Sequence, residues 1–83
     1  MTCTFRTAIE TVQKARRVES NCNGIAFYNT GSDNALINGF LLQTGAALII
    51  NGHQGETDCT QYDIVFQSST SPRIDIVRKI YQK

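Results

Sequence analysis

Apolar residues in the first twenty positions recur at the spacing of an amphipathic helix. The apolar positions of this segment are Phe5, Ala8, Ile9, Val12 and Ala15. Arg6, Glu10 and Lys14 are spaced by four, so opposite charges would alternate along the other face. Several threonines within the segment lower its helix propensity, which favours instead an extended arm that adds a strand to a neighbouring molecule. The pattern therefore predicts a helix or an extended arm over residues 1–23.

The apolar pattern changes after residue 23 to short segments with a period of two. In Gln61–Gln67 every second residue is apolar and aromatic or branched, which is typical of a half-buried strand. Five to six such segments follow one another, and turn residues separate them. This spacing predicts a mainly β fold for residues 24–83, a small antiparallel β-sandwich or barrel of five to six strands.

Two local patterns refine the prediction for the β domain. Asn38-Gly39 lies between two apolar runs and predicts a type I′ hairpin, because both central residues of that turn need a positive φ. Ile76 and Val77 are adjacent and break the alternation of the last segment. This pair indicates either a β-bulge or burial on both faces of the sheet.

The size of the chain limits what it can bury. It has 83 residues, of which 41% are hydrophobic and 18% charged, so it is one globular domain and not a disordered tail. A chain this short buries only about 60–65% of its extended surface. Such domains usually need a crosslink such as a disulfide, or a partner, to be stable. No apolar run approaches the ~18 residues of a membrane span. We expect no signal peptide, because the N-terminus lacks an apolar core segment.

The cysteines do not indicate a disulfide framework. There are three of them, Cys3, Cys22 and Cys59, and an odd number leaves at least one thiol free. They form no paired motif, so the favoured interpretation is three reduced thiols that pack as small hydrophobic groups. A Cys22–Cys59 bridge remains an alternative. Self-association is then the expected source of additional buried surface.

One loop concentrates the side chains that could bind a metal or catalyse a reaction. It contains His53, Glu56, Asp58 and Cys59, but their spacing matches no zinc pattern and a second pair of ligands is missing. A Cys–His pair would have to use His53 and would lack an orienting third group. We interpret the loop as solvated. We assign no catalytic, cofactor-binding or metal-binding residue, and we predict that the protein is not an enzyme.

Charge is distributed unevenly along the chain. Residues 21–72 contain no Lys or Arg and four acidic side chains, whereas both ends are basic and the net charge is +1. Arg16-Arg17 and Arg78-Lys79 could contact phosphate groups, but the acidic middle would repel nucleic acid. Basic ends could also protect sheet edges or contact the acidic middle of another copy. We do not expect a nucleic-acid partner or a membrane partner.

The segment from Gly24 to Tyr81 resembles a known class of protein. The motifs that carry the resemblance are Asn29-Thr30-Gly31-Ser32, Ile37-Asn38-Gly39-Phe40-x-Leu42-x-x-Gly45, Ile50-x-Gly52, Gly55-Glu56-x-Asp58-x-Thr60-x-Tyr62-x-Ile64-x-Phe66 and Val77-Arg78-Lys79-Ile80-Tyr81. They are similar to small β-rich virion structural proteins of tailed bacteriophages, in particular those infecting Bacteroidota. The resemblance implies a capsid, tail or baseplate component that is made in the host cytoplasm and incorporated into the virion.

Two hypotheses for function follow. The first is a virion structural or decoration protein that acts through contacts with its own copies and with other virion proteins. The second is a small module that binds a carbohydrate or a peptide on an exposed sheet face. For the first hypothesis we predict a homo-oligomer, with Phe5, Ile9 and Val12 at the contact, because burial of three such side chains stabilises an interface by roughly 4–8 kcal/mol before entropy is counted.

Overall fold

The computed structural model describes residues 4–52, 55–68 and 70–82. These residues form eight strands and no helix. The strands are β1 (Thr4–Val12), β2 (Arg16–Glu19), β3 (Gly24–Asn29), β4 (Ala35–Ile37), β5 (Phe40–Leu42), β6 (Ala47–Ile50), β7 (Gln61–Phe66) and β8 (Ile74–Gln82). The described residues therefore include no helix of the length and apolarity needed to cross a membrane.

The strands form two four-stranded antiparallel sheets that face each other. The first sheet has the order β1-β8-β3-β6 and the second has the order β2-β7-β4-β5. All the pairings within them are antiparallel. The prediction of a mainly β, antiparallel, sandwich-like fold is confirmed.

The predicted N-terminal helix is wrong, because residues 4–12 form a strand. All nine residues of β1 pair with β8, from Thr4 opposite Gln82 to Val12 opposite Ile74. This pairing satisfies the backbone of β1 within its own chain, and its β-branched residues suit a pleated surface. The segment is extended, as in the alternative prediction, but it joins the sheet of its own molecule.

The part of the chain that the structure describes has eight strands and not five to six. Residues 24–82 contribute six of them, and β1 and β2 supply the other two. The predicted hairpin is present between β4 and β5, where Asn38 has φ 49° and Gly39 has φ 84°. No bulge interrupts β8, because Ile76 and Val77 both lie in continuous register with β1 and β3.

A single apolar core lies between the two sheets. Phe27 of the first sheet is fully buried, and its ring meets that of Tyr62 of the second sheet edge-on at 5.0 Å between centroids. The other buried residues of this core are Val12, Val18, Cys22, Ile25, Ala35, Ile37, Leu42, Ile64, Ile74 and Ile76. Every second residue of the paired strands points into the core, which leaves the alternate residues on two outer faces.

Asn29 holds the turns at one end of the sandwich together. Its side-chain amide donates hydrogen bonds to the carbonyl oxygens of Asp33 and Leu42, each at 2.9 Å. Its side-chain oxygen accepts a bond from the amide of Gly31 at 3.2 Å. The residue is only 2% exposed, so these bonds replace water that the buried amide cannot reach.

Candidate interaction surface

The loop that concentrates potential ligands does not form a metal cluster in the described part of the chain. His53 lies outside the described residues. Across ranges 4–52, 55–68 and 70–82, no three His, Cys, Asp or Glu side chains come together. Glu56 and Cys59 are exposed, whereas Asp58 is half-buried and forms an isolated β-bridge with Cys22.

The Asp58 carboxylate has a structural role in this loop. It accepts hydrogen bonds from the amide of Thr60 at 3.0 Å and from the hydroxyl of Tyr62 at 2.7 Å. Burial disfavours its charged form, but these bonds outweigh that effect and lower the pKa of Asp58. Burial and the bond to Asp58 together raise the pKa of Tyr62 to about 12.

The raised pKa of Tyr62 predicts a change in the alkaline titration of the protein. Since the folded pKa exceeds the ordinary value of about 10, the stabilisation is fully present below about pH 10 and is lost as the pH rises through about 12. Absorbance of tyrosinate should show one of the three tyrosines ionising late. The Tyr62→Phe variant should lack that late step, and Tyr81→Phe should keep it. A late step that survives in Tyr62→Phe would contradict the assignment.

The described cysteines are free thiols, so they do not form the alternative Cys22–Cys59 bridge. Cys22 is buried and Cys59 is exposed. The Cys22 thiol donates to the carbonyl oxygen of Gly24 at 3.1 Å and lies 3.2 Å from the Ser20 hydroxyl. Cys3 lies outside the described residues. Cys22 is therefore part of the core, as predicted, whereas the prediction that Cys59 packs as a small buried group is wrong because Cys59 is exposed.

Arg16 and Arg78, two basic residues near the ends of the chain, pair with acidic residues of the same molecule. The guanidinium of Arg78 donates to the Glu10 carboxylate at 2.8 Å and to the carbonyl oxygen of Glu19 at 2.9 Å. Arg16 pairs with the same Glu10 carboxylate. These contacts connect the first sheet to the second where β1, β8 and β2 meet.

Arg17 forms a more exposed pair on the second sheet. Its Nε lies 2.7 Å from the Asp63 carboxylate, and this pairing raises the pKa of Arg17. Both side chains are more than half exposed, so the pair contributes little to stability. A basic residue of the N-terminal segment thus meets an acidic residue of the middle segment within one copy.

The outer face of the first sheet is unusually apolar. We call it the apolar face, and it is formed by Phe5, Ile9, Ala26, Tyr28, Ile49, Val77 and Tyr81. Ile9 is 72% exposed, and Ile49 and Phe5 are 55% and 54% exposed. Contiguous exposed apolar residues on a small protein mark an interaction surface.

Lys79 and Asp75 are the charged side chains of β8 that lie on the apolar face. The Lys79 ammonium lies 5.1 Å from the ring centroid of Phe5 and 5.5 Å from that of Tyr81, which is a cation–π geometry. A hydrogen bond from the Thr11 hydroxyl, at 2.8 Å, lowers the pKa of Asp75. Asp75 is therefore a carboxylate at neutral pH.

A shallow depression of about 180 Å³ lies on the apolar face. Its floor includes Gly24 and Ala26, and Tyr28, Ile49 and Lys79 lie around it. It exists because β3 carries two small residues in succession on its outer side, between strands with larger side chains. A Cβ atom at Gly24 would be no closer than 3.4 Å to any other atom, so the backbone there is not crowded.

The predicted contact residues separate into two groups. Phe5 and Ile9 lie on the apolar face, but Val12 is 1% exposed in the core of its own chain, where a second copy cannot contact it. Tyr62 is also a core residue, whereas Tyr28 and Tyr81 share the apolar face. Sequence reasoning missed Ile49, Ala26 and Val77 as parts of one surface, because the strands that carry them are far apart in sequence.

Comparison of the chain with protein-family models, with curated proteins and with solved structures finds no match.

Proposed function

We propose that this protein is a non-enzymatic structural component of a phage virion, which acts through contacts with its own copies and with other virion proteins. The observation that supports this proposal best is the apolar face, since an exposed surface of this kind stabilises an assembly by its burial. The resemblance of residues 24–81 to virion structural proteins suggests that this assembly is a phage particle. Capsid, tail and baseplate positions are all compatible with such a surface.

The shape of the molecule supports a role in assembly more than one in catalysis. The depression on the apolar face has about 180 Å³, less than the ~300–1,000 Å³ typical of pockets that enclose small molecules. A larger depression of about 540 Å³ beside Arg17 and Asp63 is wide open to solvent and does not enclose a ligand. Asp58, the half-buried carboxylate of the ligand-rich loop, is occupied by hydrogen bonds to Thr60 and Tyr62.

The abundance of the protein in purified particles tests the proposed function. Quantitative mass spectrometry of particles from cultures that express the gene should find this chain in many copies per particle. Genes for portal or capsid proteins should flank its gene. A chain found only outside particles, and encoded away from virion genes, would contradict the proposal.

Self-association through the apolar face is expected in solution. Since Phe5 is 54% and Ile9 72% exposed, burial of their exposed parts contributes about 2–4 kcal/mol before costs, so a variant with Phe5→Asn and Ile9→Asn should associate at least about tenfold more weakly. Light scattering over a concentration series measures this change. The matched control is Leu41→Asn with Val65→Asn, two exposed apolar residues on the outer face of the second sheet.

Full-length protein that stays monomeric at high micromolar concentration would contradict the expected self-association. Equal weakening by the control pair would show that the apolar face is not the relevant surface. Circular dichroism of both variants should match that of the wild type, because the substituted side chains are exposed.

A module that binds a carbohydrate is the second candidate, because aromatic rings on a sheet face can stack on sugars. Tyr28 lies beside the depression, and Phe5 and Tyr81 lie on the same face with their rings 5.9 Å apart. Saturable binding on a glycan array by a stable monomer would favour this candidate over the virion protein.

A further inference from the structure

The apolar face consists of rows of side chains that cross the strands. The middle row contains Ile9, Val77, Ala26 and Ile49, one residue from each strand of the first sheet. We call it the apolar row. It has no polar member, so any partner that covers the face must present an apolar strip of similar length.

The rows on either side of the apolar row differ from each other in charge and in shape. The lysine row contains Thr7, Lys79 and Gly24, and the aspartate row contains Thr11, Asp75, Tyr28 and Ala47. The lysine row is therefore positive, and the depression on the apolar face lies at its glycine, Gly24. The aspartate row carries the Asp75 carboxylate, which Arg73 of the same chain contacts from beside the row at 3.3 Å, and the ring of Tyr28, which is 39% exposed.

This arrangement makes the face complementary to itself under one rotation. A twofold axis that lies in the interface and runs along the apolar row reverses the strand direction and returns the apolar row to itself. The rotation exchanges the two outer rows, so Lys79 of each copy faces Asp75 of the other. It also places each Tyr28 over the other copy's Gly24.

From this geometry we propose that two copies of this chain dock face to face through the apolar face, about a twofold axis along the apolar row. The dimer is isologous, since the same patch serves both copies. The inference rests on the proposed function and specifies how the virion protein contacts itself.

The alternative twofold axis, parallel to the strands, fits the surface less well. It keeps each row against its own kind, so the two lysine rows meet and the two aspartate rows meet. Because this axis also reverses the strand order, each Gly24 then faces the other copy's Lys79. The two Lys79 ammonium groups lie side by side in one row, as do the two Asp75 carboxylates, and the like charges repel. Charge therefore selects the axis along the apolar row.

The size of the face predicts a weak but specific dimer. Four strands about 4.8 Å apart and the three rows that the rotation brings together, about 6.8 Å apart, cover about 400 Å² per copy, or about 800 Å² in total. This value is below the about 1,000 Å² of stable specific interfaces and in the range of weak, transient contacts. The dimer should therefore form in the micromolar range and supply one contact of a larger assembly.

A charge swap tests the docking geometry. We expect Lys79→Asp and Asp75→Lys each to weaken the dimer at least about tenfold, because each places like charges opposite each other twice in the dimer. The double variant should return to within about threefold of the wild type. Sedimentation equilibrium measures the dissociation constants, and Lys79→Gln separates loss of attraction from repulsion by weakening the dimer less than Lys79→Asp.

Cysteine crosslinking provides a test that does not depend on Asp75. A substitution of Asp75 also removes its contacts with Thr11, Thr30 and Arg73. Val77 of the central strand β8 should face Val77 of the second copy. In a chain with Cys3→Ser and Cys59→Ser, Val77→Cys should therefore form a disulfide-linked dimer on mild oxidation. The matched control is Val65→Cys on the outer face of the central strand β7, which should remain monomeric on a denaturing gel.

The possible outcomes separate this inference from the proposed function. Restoration by the double variant together with crosslinking at residue 77 supports the docking geometry. If the protein self-associates but Lys79→Asp has no effect, the docking geometry is wrong while the proposed function stands. The same conclusion follows if residue 65 crosslinks instead of residue 77. A monomer that does not crosslink overturns the docking, and the abundance of the chain in particles then decides the proposed function separately.

Discussion

The Phe27→Ala variant is expected to lose about 3–5 kcal/mol of unfolding free energy, the largest effect of any single truncation proposed for this protein. Phe27 is 0% exposed and its ring contacts Tyr62 across the two sheets at 5.0 Å. Alanine would leave a cavity where the sheets meet. The short strands on both sides cannot close that cavity without losing their register. A domain of this size has a total stability near the lower end of about 5–15 kcal/mol, so most of it would be lost.

Urea unfolding followed by circular dichroism measures this loss. Phe40→Ala is the matched control, since it removes the same atoms from a side chain that is 54% exposed. We expect the control to cost less than about 1 kcal/mol. A loss below about 1.5 kcal/mol in Phe27→Ala would mean that the core between the sheets is less well packed than the buried surfaces indicate.

The Asn29→Asp variant is expected to have the second largest effect, a loss of about 3 kcal/mol or more. The substitution changes few atoms, but it replaces the amide donor that faces the carbonyl oxygens of Asp33 and Leu42. A carboxylate there would face two acceptors in a position that is 2% exposed. Burial of an unpaired charge beside unsatisfied acceptors is costly.

Thermal unfolding at neutral pH measures this effect. Asn38→Asp is the control, since the Asn38 amide also donates to a carbonyl oxygen, that of Gln61, but in an exposed turn. Water can replace that bond, so the control should lose less than about 1.5 kcal/mol. Similar losses in the two variants would contradict the role of Asn29 as a buried organiser of the turns.

The β4–β5 hairpin shows what local chemistry can predict. Asn38 and Gly39 adopt positive φ angles without help from distant residues, because the turn depends on the conformational freedom of these two residue types. The alternation in Gln61–Gln67 likewise placed Tyr62 and Ile64 on the buried side of β7. Short-range patterns were sufficient for the fold class and for most of the strands after residue 23.

The N-terminal segment shows where local chemistry is ambiguous. The spacing of Phe5, Ala8, Ile9 and Val12 fits a helix, but in β1 the first and third of these lie on the outer face and the other two on the inner face. The deciding interaction is the pairing of all nine residues of β1 with β8. That partner lies about seventy residues away in sequence, so no window on the N-terminal segment could include it.

Single residues of the apolar face could be predicted from the sequence, but the face as a whole could not. Phe5 and Ile9 were expected at a contact, and burial on both faces was one of two explanations for the adjacent Ile76 and Val77. The structure shows Ile76 in the core and Val77 on the apolar face. The position of Asp75 relative to Lys79 on one strand was readable from their spacing, but the neighbours of these residues on β1 and β3 were not.

By itself the sequence determined that this protein is a small antiparallel β domain, because period-two alternation and turn residues act over a few positions. Only the tertiary structure decided that residues 4–12 are a strand, that Val12 is buried and that Ile9, Val77, Ala26 and Ile49 form one row. Those outcomes depend on cross-strand register between segments that are distant along the chain. Each strand can offer either of its two faces to the core, and only the packing of the two sheets selects which face remains exposed.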